Sequence, residues 1–265
     1  GLLSELIAFD DDVWELYDGS KDWSQARNLA KERPDMLQKL QRLFLIEATK
    51  YNVLPLDDRG TERFIPAMAG RPTLIKGNSQ LFFPGMGRLQ ENSVVNVKNH
   101  SFSVTAEIDV RKGKPASGVI IAQGGRFGGW SLYAKDGKAK FVDNVLGIHE
   151  FATVATEPVP EGKHQVRAEF AYDGGGLAKG GNVTLYYDGR PVGSGRVAMT
   201  QPMVFSMDET TDIGHDSGTP VSPDYSVHAS KFTGKIHWVQ LDVGVDDNDH
   251  FISPEERLRI AMARQ

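Results

Sequence analysis

Phe102-Ser103-Val104-Thr105-Ala106-Glu107-Ile108-Asp109-Val110 decides the fold. Phe102, Val104, Ala106, Ile108 and Val110 alternate with Ser103, Thr105, Glu107 and Asp109. A period of two puts the classes on opposite faces of a strand, one dry and one wet. The pattern returns further on, where Val166, Ala168 and Phe170 oppose Gln165, Arg167 and Glu169. Asp136-Gly137 and Asp188-Gly189 are dipeptides that favour type I' turns, so each predicts a hairpin. The first folds residues 130–133 back on 140–142, and the second leads 183–187 into 190–192. Further strands are expected near 81–83, 119–123, 151–155 and 235–243. Many short strands with no long helix between them predict an antiparallel two-layer sandwich of jelly-roll type rather than a parallel α/β sheet.

The period changes on either side of this region. Asp11 to Gly19 reads as a short strand closed by an Asp-Gly turn, followed by a helix from Trp23 to about Glu32 with Asp22 as its cap. A second helix starts at Pro34, which suits a first helical turn because it has no amide hydrogen to satisfy. Leu37, Leu40, Phe44, Ala48 and Tyr51 recur there at three- and four-residue intervals and form one apolar stripe. At the other end Ser253-Pro254-Glu255-Glu256 is a helix start, with Ser253 as cap and Glu256 placed for a reciprocal capping box. The expected organisation is an N-terminal helical region and linker over 1–74, a sandwich over 75–245, and a turn with a short helix packing back over 246–265.

Composition narrows the chemistry. The 265 residues carry a formal charge of -5, with Lys and Arg dispersed, so the chain lacks the basic footprint of a nucleic-acid binder. No apolar run approaches the roughly 20 residues that cross a bilayer, and no membrane partner is expected. Gly1-Leu2-Leu3-Ser4 does not read as a secretory signal, having no basic flank. The absence of cysteine removes disulfides, thiolate catalysis and sulfur metal sites, and leaves the compartment open. No Cys-x-Pro-x-Arg or Ser-x-Pro-x-Arg occurs, and the histidines lack the His-Glu-x-x-His spacing of a zinc site.

Gly124-Gly125-Arg126-Phe127-Gly128-Gly129 lacks the Lys-Ser or Lys-Thr of a phosphate loop, and its first reading is a close strand crossing at the sandwich rim. The alternative gives it a ligand. Arg126 would supply a guanidinium for an anionic group and Trp130 an indole face for a sugar, with Tyr133 beside them, a combination that suits a sulfated glycan. Asp208, Asp212 and Asp216 offer hard oxygen donors for a structural calcium, against an Asx-turn network that uses the same oxygens on local amides.

Trp14-Glu15-Leu16-Tyr17-Asp18, then Asp22-Trp23-Ser24-Gln25-Ala26-Arg27-Asn28-Leu29-Ala30 and Pro55-Leu56-Asp57-Asp58-Arg59, resemble the closing part of the bacterial arylsulfatase family. The glycine-rich stretch through Tyr133, together with Asp212 to Pro220, resembles the additional sandwich of a branch of that family. The resemblance implies a concanavalin A-like or laminin G-like sandwich. It also implies a parent enzyme hydrolysing sulfate esters with formylglycine and calcium, and a catalytic sulfatase domain as partner in the same polypeptide. Because the nucleophile motif is missing, this stretch itself is expected to have no catalytic residue and to require no cofactor. Its expected role is a non-catalytic accessory region, stabilising the catalytic domain or shaping substrate access. A carbohydrate-binding module for a sulfated glycan is the alternative, and an independent glycoside hydrolase ranks third.

Overall fold

A computed structural model describes residues 9, 11–54, 56, 70, 74–75, 77–206, 208–244 and 250–255. The chain divides into two compact units, Gly1–Phe64 and Ile65–Gln265.

In the first unit the helix expected at Pro34 is present as α1 (Pro34–Lys50), with proline in its first turn. Phe44 on this helix stacks on Phe9 with ring centroids 5.8 Å apart and lies 6.0 Å from Trp14. The stripe is only partly covered, for Ala48 is buried while Leu40 and Tyr51 are exposed. The other two expectations here are corrected. Among the described residues, 13–17 form no strand, and the helix expected over 23–32 is replaced by turns and irregular backbone. The reason is local: the Asp22 carboxylate accepts the amides of Ala26 and Arg27 at 3.0 and 2.8 Å, and Asn28 Oδ1 accepts those of Leu16 and Ala30. Side chains that capture amides in this way compete with the helical ladder. Asp22→Ala is therefore expected to speed hydrogen exchange at the Ala26 and Arg27 amides about tenfold, the effect of losing roughly one hydrogen bond, as read by NMR.

The second unit is a mainly-β antiparallel jelly-roll sandwich. Its strands are β1 (Ser79–Phe82), β2 (Phe102–Val110), β3 (Gly118–Gly125), β4 (Gly128–Lys135), β5 (Lys138–Val145), β6 (His149–Val154), β7 (Gly162–Tyr172), β8 (Gly181–Tyr187), β9 (Arg190–Val197), β10 (Thr211–Ile213) and β11 (Lys235–Val243). They form a six-stranded sheet, β1-β11-β2-β7-β8-β9, and a five-stranded sheet, β10-β3-β4-β5-β6. The Asp-Gly hairpins lie where expected, with φ of 53° and 81° at Asp136 and Gly137 and 47° and 82° at Asp188 and Gly189.

The core lies between the sheets. Phe102, Val104, Ala106 and Ile108 of β2 meet Trp130 and Leu132 of β4 and Phe141 of β5, all buried. Phe102 sits 5.4 Å from the Trp130 ring and 6.3 Å from that of Phe141. Edge strands β6 and β9 of the two sheets also close on one another: the Thr156 amide, just after β6, donates to the Val192 carbonyl at 2.7 Å. Gly193 and Gly195 permit this approach, since a Cβ at Gly193 would lie 2.7 Å from the Val154 carbonyl oxygen.

The outer face of the six-stranded sheet departs from the expected wet surface. Ser103, Thr105, Gln165 and Arg167 are all buried. Residues from the far end of the chain cover part of this face: Gln165 exchanges two hydrogen bonds with the Ile252 backbone, and His250 stacks on Tyr186 at 4.3 Å. Arg167 is paired within the sheet, donating to Thr105 Oγ1 at 2.7 Å and Glu169 Oε1 at 2.6 Å. Residues 254–255 are helical, and the remainder of the expected C-terminal helix lies outside the described residues, as does the turn at 246–249.

Candidate functional site

The glycine-rich stretch forms the tight end of β3 and β4. A Cβ at Gly129, where φ is +148°, would lie 2.1 Å from the Gln123 carbonyl oxygen, so only glycine lets the strands approach here. The approach seats Trp130 in the core, 1% exposed, with its indole Nε1 donating to Gln123 Oε1 at 2.8 Å. It presents no face to a sugar. Tyr133, also 1% exposed, lies on the opposite face of the sheet beneath the segment joining β10 to β11. Arg126 is exposed on the β3–β4 turn beside Phe127. That turn and Tyr133 lie toward opposite ends of β4, an eight-residue strand roughly 25 Å long. The three sequence-derived candidates are thus not gathered into one site.

Chemistry gathers instead at the other end of β4. In the hairpin register Lys135 faces Lys138 and Tyr133 faces Lys140, which places all four side chains on the outer face of the five-stranded sheet. Three ammonium groups so close would repel one another. Asp224, carried over this face by the β10–β11 segment, relieves two of them: its Oδ1 lies 2.7 Å from Lys135 Nζ and its Oδ2 pairs closely with Lys140. The Tyr133 hydroxyl donates to the same Oδ2 at 2.6 Å. Burial alone would raise the Asp224 pKa, but hydrogen bonds from Lys135, Lys140 and Tyr133 outweigh it and hold the carboxyl well below the usual range. Burial, reinforced by the bond to Asp224, pushes the Tyr133 phenol far up.

Lys138 differs. Its Nζ donates to the Thr156 carbonyl at 3.1 Å, and among the described residues no carboxylate pairs with it. Together with Asp136 and half-exposed Val154 of β6, these groups line an open depression of 390 Å³.

The segment that carries Asp224 is firmly held. Val221 packs on Val119, Ala122, Tyr133 and Val142. Its amide donates to Asp216 at 3.1 Å, and the Tyr225 hydroxyl reaches the same oxygen at 2.9 Å. Burial raises Asp216 to about 6. Two of the carboxylates weighed for calcium are already spent on protein donors: Asp216 as above, and Asp212 on the amides of Ser217 nearby and Arg88 far along the chain, at 2.9 and 2.7 Å. Among the described residues no three His, Asp or Glu side chains gather as a metal site.

Sequence reasoning passed over Lys135, Lys138, Lys140 and Asp224. The hairpin itself carried the signal for the lysines, since a two-residue turn after Lys135 puts them on one face. Asp224 is 84 residues from Lys140 and had no local signal.

Comparison with known proteins yields no matching family model and no matching curated protein. Among solved structures, the chain is similar to the CBM40 of a Ruminococcus gnavus IT-sialidase bound to α2,3-sialyllactose. The identity is 13% and the TM-score 0.43, over 68% of this chain and 97% of that one. It is also similar to the NanB sialidase of Streptococcus pneumoniae, at 14% identity and a TM-score of 0.43, over 67% of this chain and 27% of that one. A leech intramolecular trans-sialidase gives 9% identity and a TM-score of 0.42, over 66% and 27%. The arylsulfatase resemblance is corrected on this point: no sulfatase family model matches, and none of these structures is a sulfatase. The sulfate-ester-hydrolysing parent, its formylglycine and calcium, the sulfatase partner domain and the accessory role within such an enzyme fall with it.

Proposed function

We propose that the sandwich, residues 75–245, is a carbohydrate-binding module, and that the lysine-lined depression contacts an acidic saccharide. The observation that carries this reading is Lys138, an ammonium with no carboxylate partner among the described residues, at the edge of a preformed hollow whose other lysines are paired with Asp224. An ammonium has three donors, and Lys138 has committed one. The remaining donors suit a carboxylate or sulfate, while the exposed part of Val154 offers apolar surface to the C–H face of a sugar ring. Tyr133 takes a positioning part by orienting Asp224. Arg126, on the far turn, contributes only to a ligand long enough to reach it.

Calorimetric titration with sialylated, sulfated and uronic-acid oligosaccharides, each beside its neutral counterpart, tests the reading. The acidic members are expected to bind, more weakly as salt rises, and Lys138→Gln is expected to lower their affinity about tenfold, the worth of one charge-assisted hydrogen bond. Equal binding of neutral and acidic sugars, or none across the panel, rejects it.

A further inference from the structure

Taking the depression as a site for an acidic saccharide, we propose that Asp224 restricts it to one anionic group. Three lysines and two aspartates line the hollow, so its formal charge is +3 − 2 = +1. The distribution of that charge matters more than its sum. Asp224 spends one oxygen on Lys135 and the other on Lys140, and the second oxygen also takes the Tyr133 hydroxyl. Both lysines are therefore occupied before any ligand arrives. Of the three lysines, Lys138 is the one with no carboxylate partner among the described residues.

A first sulfate or carboxylate settles on Lys138. A second one, on the same or the next sugar ring, would face ammonium groups already neutralised and the two carboxylates of Asp136 and Asp224. It would have to displace Asp224. That carboxylate does not swing away freely: its side chain is only 19% exposed, and its own amide donates to Ser222 Oγ at 3.3 Å. Its neighbour Tyr225 lies edge-on to Tyr133 with ring centroids 5.1 Å apart. Partial burial also protects the repulsion from salt screening. Asp224 is thus an internal anion that does the work of a second ligand group and excludes a real one.

The test uses the full chain and two probes, one oligosaccharide carrying a single sulfate and the same oligosaccharide carrying three. The wild type is expected to bind both with affinities within about threefold. Asp224→Asn frees Lys135 and Lys140, and is expected to raise affinity for the trisulfated probe at least tenfold, with a steeper salt dependence and a clearly smaller gain for the monosulfated one. Adding Lys135→Gln to Asp224→Asn should return the ratio toward that of the wild type. Asp136→Asn changes the net charge by the same amount but leaves the pairs intact, so its gain should stay below threefold.

Thermal unfolding checks each variant, and Asp224→Ser, which keeps an acceptor for Tyr133, is read in the same way if the asparagine form is unstable. An unchanged probe ratio in the Asp224 variants, an equal gain from Asp136→Asn, or a wild type that already prefers the trisulfated probe tenfold overturns the inference while leaving the saccharide site standing. A wild type and variants that bind neither probe remove both.

Discussion

Trp130→Ala is expected to lower the unfolding free energy of the sandwich by about 4 kcal/mol, within the range for deleting a large buried aromatic. The side chain touches both sheets, lying 5.4 Å from Phe102 and 6.0 Å from Phe141 between ring centroids. Truncation would remove the indole's packing against both rings, and would strand the Gln123 carboxamide oxygen that now accepts the indole hydrogen. Urea denaturation followed by circular dichroism measures the loss. Trp130→Phe, which keeps most of the volume, should cost about half as much. Saccharide binding by the folded fraction should not change. Loss of binding with stability retained would instead make the indole a ligand platform.

Asp143→Asn is expected to act in the opposite direction at alkaline pH. Asp143 lies on the inward-facing side of β5, across the ladder from Trp130 and Phe151, and is 7% exposed. Burial raises its pKa to about 7, from an ordinary value of 3.8. A carboxyl whose pKa is raised by folding favours the native state most when protonated. Its contribution is complete below about pH 4 and is lost as pH climbs through about 7. Asp216, raised to about 6, acts in the same direction over a similar window. Stability should therefore decline from pH 4 to pH 8 in the wild type. Asparagine cannot ionise, and the variant should gain on the order of 3 kcal/mol at pH 8 relative to pH 5. Denaturant midpoints at the two pH values decide the matter, since an undiminished slope in the variant would place the titration elsewhere.

The sandwich was legible because its signals are short-range. Alternation along 102–110 and around Val166 to Phe170, and the two Asp-Gly turns, need only adjacent residues to be read. Misreadings arose wherever a partner was distant or a side chain competed with the backbone. Ser103 and Gln165 read as solvent-facing, but no local pattern reveals that the sheet face behind them is covered. Asp22 reads as a cap, yet the amides it captures belong to turns and no helix forms over 23–32. Trp130 and Tyr133 alternate in sign across the sheet as the strand reading requires, and both are buried because each face has its own cover. The lysines of the depression could be placed together from the hairpin, whereas the carboxylate that organises them arrives from another part of the chain.

The closure of β6 against β9 has a consequence outside the molecule. A free sheet border presents unpaired amides and carbonyls on which the strand of a second molecule can grow. Here the glycines of β9 bring two such borders together within one chain, and the Val192 carbonyl is already taken by Thr156. This side of the protein is thereby withheld from strand-on-strand polymerisation, a protection that bulkier residues at 193 and 195 would remove by forcing the borders apart.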